Sequence, residues 1–135
     1  MNKQIALVTG ASSGIGEAVA KQLTASGYTV YGTSRNGTKG GQRSFAMLSL
    51  DVTDDTSVQQ AVDAVIQKEV RIDLLVNNAG FGIAPAGAEE SSLAQAQSLF
   101  DTNFFGAVRM TRAVLPHMRQ QRAGRIIHIG SVLGV

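Results

Sequence analysis

Three glycines within seven residues lie between a short apolar run and a helical pattern, and no other feature constrains the fold as strongly. Residues 4–9 form a strand-like run that stops at Gly10, and apolar residues then recur at helical spacing over 14–26. Gly10 allows a tight turn out of a strand, Gly14 removes a side chain where a ligand can approach the backbone, and Gly16 allows close helix packing. The amides and dipole of the first helical turn would favour a pyrophosphate. A tight connection that binds no ligand is the alternative.

Strand-like and helix-like segments alternate along the rest of the chain. We predict the order strand, helix, strand, strand, helix, strand, helix, helix, strand. The predicted strands are 4–9, 28–33, 45–50, 72–76 and 126–129, and the predicted helices are 14–26, a segment that begins after an N-cap at Thr53, 89–100 and 101–121. Segment 72–76 is apolar except for Asp73, and segment 126–129 looks similar, which is typical of parallel strands covered by helices on each side. We therefore expect an α/β fold, a doubly wound parallel sheet of the Rossmann type, in one domain over 1–135.

Composition excludes several classes of protein. The chain is 44% hydrophobic with 12 basic and 10 acidic residues, which indicates an ordinary globular protein. The four arginines between 109 and 122 have no interleaved aromatic residues, so we expect them on a solvated helix face and expect no nucleic-acid partner. The absence of cysteine excludes disulfides and thiolate zinc sites, and His117 and His128 lack the spacing of metal ligands. Since no apolar run reaches the length of a signal peptide core or a membrane span, we expect a soluble, cytoplasmic protein.

The glycine spacing is Gly-x-x-x-Gly-x-Gly, and four further motifs follow it: Asp51-Val52, Asn77-Asn78-Ala79-Gly80, Asn103, and Gly130-Ser131. Through these motifs, in this order, the chain resembles the short-chain dehydrogenase/reductase family over residues 4–135. The resemblance implies a domain that binds a nicotinamide dinucleotide. It also implies hydride transfer between the nicotinamide and a carbonyl or secondary alcohol carbon of a small-molecule substrate. A homodimer or homotetramer is implied for the complete protein.

The residues after the second predicted strand bear on which dinucleotide is bound. An acidic residue at this place would bind the 2′-hydroxyl of the adenosine ribose in NAD. The sequence has Thr33-Ser34-Arg35 instead, and a guanidinium matches a phosphate with a fork of donors. We therefore predict NADP(H) in preference to NAD(H). The alternative is that Arg35 only begins a solvated loop.

The resemblance implies a role for each of the cofactor motifs. Asp51 would accept a hydrogen bond from the adenine amino group beside the backbone of Val52, while Asn77 would brace the sheet and the backbone of 78–80 would lie along the adenosine ribose. An aspartate at a strand end commonly makes a local turn bond instead. The predicted cofactor-binding residues are Gly10, Ser12, Ser13, Gly14, Ile15, Gly16, Ser34, Arg35, Asp51, Val52, Asn78, Ala79 and Gly80.

Asn103 and Ser131 are the candidate catalytic residues, and no metal ligand is predicted. Asparagine is a poor helix former, and Asn103 lies in a helical segment whose predicted apolar face is Phe104, Val108, Leu115 and Met118. By resemblance, Asn103 holds a water that relays protons to a catalytic lysine, and Ser131 hydrogen-bonds the oxygen of the substrate. A cap or a surface amide is the alternative for Asn103.

The tyrosine and lysine that complete the site in this family have no counterpart in the sequence. A tyrosine can exchange a proton near neutral pH only if a nearby cation lowers its pKa, which is the role of the lysine in Tyr-x-x-x-Lys. Tyr28 and Tyr31 are followed four residues later by Gly32 and Arg35. We therefore expect the N-terminal portion of a longer enzyme, truncated before that segment, which binds the cofactor without catalysis. A non-catalytic dinucleotide-binding, regulatory or interaction module is the alternative.

Overall fold

The strands and helices of the computed structural model follow one another in the predicted order, and the structure describes residues 3–37, 43–78 and 92–130. The strands are β1 (Ile5–Val8), β2 (Thr29–Ser34), β3 (Ala46–Ser49), β4 (Leu74–Asn77) and β5 (Arg125–His128). The helices are α1 (Gly14–Ala25), α2 (Asp55–Glu69), α3 (Leu93–Phe100) and α4 (Gly106–Gln121), with a π-helical turn (Asp101–Phe105) between the last two.

The strands form one parallel sheet in the order β3-β2-β1-β4-β5. The chain starts at β1 in the middle, moves to one edge through β2 and β3, and then returns to build the other side with β4 and β5. The direction of winding therefore changes beside β1, and ligands of open α/β sheets bind at such a point, outside the carboxyl ends of the strands. The prediction of a doubly wound parallel sheet is confirmed.

Alternate residues of β1 face two different helical layers. Ile5 and Leu7 belong to a core cluster shared with α2 and α4, whereas Ala6 and Val8 belong to a second cluster shared with α1. The strand is apolar on both faces because helices cover both of them. Fully burying a side chain such as Leu7 contributes about 1.5–3 kcal/mol relative to leaving it in water.

The N-cap of α2 lies one residue after the predicted one. Asp54, not Thr53, accepts hydrogen bonds from the amides of Thr56 (3.0 Å) and Ser57 (3.4 Å). Thr53 instead donates to Oδ1 of Asp51 through its amide (2.9 Å) and its hydroxyl (2.6 Å). The prediction was wrong because neighbouring residues can both cap a helix, and Asp51 already engages Thr53.

The apolar run at 126–129 predicted a strand that is buried on both faces, but β5 is not. Ile127 is 46% exposed, and only Ile126 packs partly against the core within β5. The physical reason is the position of the strand, since β5 lies last in the sheet order and pairs with β4 alone among the described strands.

The apolar face of α4 agrees with the predicted one only in part, since Met118 is buried as predicted and Leu115 is half-buried. Met110, Val114 and Met118 are buried, whereas Phe104 is 54% and Val108 is 37% exposed. The π-helical turn inserts an extra residue into its turn, so the helical phase shifts between Phe104 and α4. Within α4 itself, the buried residues recur every four positions, and Val108 and Leu115 lie on other sides of the helix than Val114.

Candidate functional site

A cleft of about 640 Å³ lies at the carboxyl ends of β1 and β2, beside the point where the winding of the sheet changes. It brings together the glycine turn, the end of β2 and the segment after β3. The predicted cofactor residues that line it are Gly10, Ser12, Ser13, Ile15, Ser34, Arg35, Val52 and Asn78. Ala79, Gly80 and Ser131 lie outside the described residues.

The glycine turn has backbone conformations and contacts that other residues do not accommodate. Gly10 (φ +65°) and Gly14 (φ +59°) are in the left-handed region, which costs little only for glycine. A Cβ built on Gly16 would overlap the carbonyl oxygen of Gly10 and Nδ2 of Asn78. The N-cap residue of α1, Ser13, makes no capping hydrogen bond with its side chain. The first turn of α1 therefore keeps the amide donors and dipole with which helices bind anions.

The two asparagines at the end of β4 connect this turn to the rest of the sheet. Asn78 donates through its amide N–H to the hydroxyl of Thr9 (2.9 Å) and through Nδ2 to the carbonyl oxygen of Gly10 (3.0 Å). Asn77 donates through Nδ2 to the hydroxyl of Thr111 (3.3 Å) on α4. Both residues are therefore structural braces, and Asn78 also lines the cleft.

Ser34 and Arg35 end β2 at the rim of the cleft. The hydroxyl of Ser34 donates to the carbonyl oxygen of Gly37 (3.4 Å), and Arg35 is exposed. The carbonyl oxygen of Ser34 accepts from the amide of Leu50 (2.9 Å), so the segment that leads to Asp51 is attached to the end of β2. Arg35 is therefore solvated, as the alternative prediction had it, and it also lines the cleft.

Asp51 is an ionised side chain near this rim. Its hydrogen bonds from the hydroxyl and amide of Thr53 hold the pKa of the carboxyl below the ordinary value of 3.8, with smaller contributions from the charges of Arg35 and Arg109 and an opposing one from burial. The local turn bond that we gave as the alternative for Asp51 is therefore present. It uses Oδ1, and within the described ranges no hydrogen bond engages Oδ2.

The π-helical turn holds Asn103 and, one residue before it, Thr102, a residue of the cleft that the sequence did not indicate. Asn103 is exposed, whereas Thr102 is 6% exposed and lines the cleft. The hydroxyl of Thr102 has no hydrogen-bond partner among the described residues. π-Helical turns occur frequently at functional sites. No sequence pattern reveals such a turn, so the place of Thr102 in the cleft could not be predicted.

Arg109 is a second residue of this region that the sequence assigned to another role. Its side chain is only 25% exposed and forms ion pairs with Asp101 (2.8 Å) and Asp55 (3.1 Å). Nη1 of Arg109 also donates to the carbonyl oxygen of Val52 (3.1 Å). The prediction of a fully solvated set of arginines at 109–122 was therefore wrong for Arg109, because carboxylates from two other segments converge on it.

The described residues contain no cluster of three or more histidine and acidic side chains that could hold a metal ion. The same part of the chain has no helix with the length and apolar character needed to cross a bilayer.

Comparison with known proteins agrees with this geometry. The model of the short chain dehydrogenase family matches residues 4–135. The chain is 48% identical to a 3-ketodihydrosphingosine reductase of Bacteroides thetaiotaomicron over 136 residues, which cover 100% of this chain and 49% of that protein. It is 35% identical over 140 residues to a probable NADP-dependent dehydrogenase of Haemophilus influenzae, with 99% of this chain and 56% of that protein covered.

A solved structure has the same architecture. The ligand-free aldohexose dehydrogenase of Thermoplasma acidophilum superposes with a TM-score of 0.89 at 30% identity, over 97% of this chain and 50% of that one. The chain spans about half the length of the curated relatives that it matches. The family match and the shared sheet lead to one conclusion: this chain belongs to the short-chain dehydrogenase family.

Proposed function

We propose that the complete protein is an NADP(H)-dependent oxidoreductase that acts on a carbonyl or secondary alcohol group of a small molecule. The observation that carries the proposal is the cleft that joins the glycine turn to Ser34 and Arg35. Once bound, the dinucleotide would supply or accept the hydride, because hydride transfer is the chemistry of the nicotinamide.

The described residues fit such a ligand. A pyrophosphate would take the amides at the start of α1, where Gly16 leaves no room for a side chain and Ser13 adds no side-chain cap. The ionised Asp51 would accept a hydrogen bond from the adenine amino group through Oδ2, beside the backbone of Val52. Asn78, Ala79 and Gly80 would lie along the ribose in this proposal.

The preference for NADP(H) rests on charge at the end of β2. Arg35 lines the cleft, and no carboxylate stands at positions 33–35 to bind a ribose 2′-hydroxyl. A guanidinium offers a phosphate two parallel charge-assisted hydrogen bonds, which a 2′-hydroxyl cannot use equally well. The name of the Haemophilus influenzae relative supports the same cofactor.

The proton that accompanies the hydride needs an acid or base that Tyr31 does not provide. Burial, followed by the hydrogen bond to Glu69 and the charge of that residue, raises the pKa of Tyr31 to about 12. We propose that a Tyr-x-x-x-Lys pair elsewhere in the complete protein moves this proton. Asn103 would hold a water for that relay, and Ser131 would orient the oxygen of the substrate. The similarity to a 3-ketodihydrosphingosine reductase makes 3-ketodihydrosphingosine the first substrate to assay.

The cofactor assignment is tested by titrating NADPH and NADH separately into the wild-type protein and Arg35→Ala, with dinucleotide fluorescence as the signal. We expect Arg35→Ala to weaken NADPH binding by about tenfold and NADH binding by less than about twofold. Arg35→Lys, which keeps the charge but loses the fork, should lie between them. Equal losses for both dinucleotides would contradict the NADP(H) preference, and a wild-type protein that binds neither would contradict the proposed function.

We also propose that the complete protein is a homodimer or homotetramer. Phe100, Phe104 and Phe105 are 60%, 54% and 49% exposed, and their rings contact one another along the end of α3 and the π-helical turn. A cluster of exposed aromatic side chains favours burial against another protein surface. Sedimentation equilibrium should give a multiple of the monomer mass for the wild type and a lower mass for Phe104→Ser. A wild-type monomer at micromolar concentration would contradict this proposal.

A further inference from the structure

Arg43 lies against the glycine turn, although it is 31 residues away from the turn in sequence. Its Nη2 donates to the carbonyl oxygen of Ser12 (3.1 Å), and its Nε lies 3.7 Å from Oε2 of Glu17 in the first turn of α1. The side chain is 9% exposed. Arg43 is therefore a nearly buried cation at the start of α1, and the sequence motifs gave no indication of it.

The hydrogen bonding of this guanidinium is incomplete. Nε and Nη1 of Arg43 are buried and have no hydrogen-bond partner in the part of the chain that the structure describes. A guanidinium carries five N–H donors, and a buried donor without a partner costs free energy. Glu17 is close enough for an ion pair but is not hydrogen-bonded to Nε, and it also pairs with Lys21 at 4.0 Å. An anion at this place would supply the acceptors that Arg43 lacks.

The position of Arg43 indicates which anion this is. Ser12, whose carbonyl oxygen Arg43 holds, lines the same cleft as Ser34 and Arg35. We propose that Arg43 is a second phosphate-binding arginine, which acts with Arg35 on the 2′-phosphate that distinguishes NADP(H) from NAD(H). This inference rests on the proposed function. Two guanidiniums match the charge of a phosphate dianion, and each provides the planar fork that a phosphate accepts.

A purely structural role for Arg43 makes a different prediction. If the hydrogen bond to Ser12 only held the glycine turn in shape, then loss of Arg43 would weaken every ligand of the turn to the same extent. A ligand of the 2′-phosphate affects only those molecules that carry this phosphate. The ratio of two affinities, measured without turnover, therefore distinguishes the two roles.

The experiment titrates the full chain, as wild type and as Arg43→Gln, with NADPH, NADH, 2′,5′-ADP and 5′-AMP by calorimetry. We expect Arg43→Gln to weaken NADPH and 2′,5′-ADP by about tenfold and to change NADH and 5′-AMP by less than about twofold. An equal loss for all four ligands, or no loss for any, would overturn the inference and leave the proposed function intact. A wild-type protein that binds none of them would overturn both.

Glu17→Gln provides a second arm if Arg43→Gln does not fold. Removing this carboxylate frees Arg43 from its competing ion pair, so the preference for NADPH over NADH should rise by about threefold. Lys21→Gln is the matched control, since it changes one charge on the same helix and removes the other ion pair of Glu17. We expect Lys21→Gln to change the preference by less than about twofold. An unchanged preference in Glu17→Gln, or an equal rise in Lys21→Gln, would overturn the role of Arg43.

Discussion

The side-chain amide of Asn78 donates a 3.0 Å hydrogen bond to the carbonyl oxygen of Gly10, 68 residues earlier in the chain. This bond connects the end of β4 to the turn that follows β1, and Gly16 packs against both of its partners. The glycine turn is therefore held in place by the neighbouring strand as well as by its own backbone conformation.

Gly16→Ala should disrupt this arrangement, because the added Cβ overlaps a backbone carbonyl that cannot move without breaking the bond to Asn78. We expect a loss of about 2 kcal/mol or more in the free energy of unfolding, measured by urea denaturation. Gly14→Ala is the control, since its Cβ would meet nothing within 4 Å and only the left-handed conformation (φ +59°) opposes it. That strain costs about 1–2 kcal/mol. A Gly16→Ala protein as stable as the wild type would contradict the overlap.

Arg109→Met should destabilise the contact of α4 with the start of α2, the segment before it and the π-helical turn. Its guanidinium pairs with Asp55 and Asp101 and donates to the carbonyl oxygen of Val52. We expect a loss of about 1–2 kcal/mol, since the side chain is one quarter exposed and water screens part of the charge interaction. Arg112→Met, on an exposed position of the same helix, should change the stability by less than about 0.5 kcal/mol. Equal losses of stability in the two variants would show that the ion pairs and hydrogen bond of Arg109 do not stabilise the fold.

Asp51 should make the folded state sensitive to acid. Because its pKa is lower in the folded state than the ordinary 3.8, its contribution to stability is present above that pH and is lost as the pH falls through the folded value. We expect the urea midpoint of the wild type to fall on acidification through this range. Asp51→Asn should reduce this fall. The midpoints of the two proteins should converge at low pH, and parallel curves would contradict the prediction.

Tyr31 should make stability sensitive to alkali in the opposite direction. Its pKa is raised from 10.0 to about 12, so the stabilisation is complete below pH 10 and is lost as the pH rises through 12. An ultraviolet titration of the folded protein should therefore include a phenol that ionises near pH 12. Tyr31→Phe removes the hydrogen bond to Glu69 and should remove this step from the titration. A wild-type titration without a late step would show that the phenol is not held in its neutral form.

Local sequence signals predicted the order of the elements and the glycine turn, because each depends on neighbouring residues. The predicted strands at 4–9 and 72–76 contain the buried strand β1 (Ile5–Val8) and the first residues of β4 (Leu74–Asn77), and Gly10 and Gly14 have the left-handed conformation that their turn requires. The predicted N-cap of α2 was one residue too early, because a local signal could not decide between two neighbouring residues. Thr53 and Asp54 are both good caps in isolation, and the hydrogen bonds of Thr53 to Asp51 decide between them.

The features that the sequence did not predict depend on which segments meet. The exposure of β5 follows from its place at the edge of the described sheet, and Phe104 lies in a π-helical turn whose period differs from that of α4. Arg109 is partly and Arg43 almost fully withdrawn from solvent because carboxylates and carbonyls from other segments surround them.

By itself, the sequence determined the α/β order, the glycine turn and the motifs of a dehydrogenase family, since period, turn chemistry and motif spacing are local properties of a chain. Only the tertiary structure decided that a second arginine, Arg43, lies against the glycine turn. Arg35 follows β2 directly, so its place could be predicted, whereas Arg43 reaches Ser12 only once β2 and β3 have paired. The burial of an arginine and the charges around it depend on which segments the fold brings together. They also decide what that arginine can bind, so the sequence alone does not reveal it.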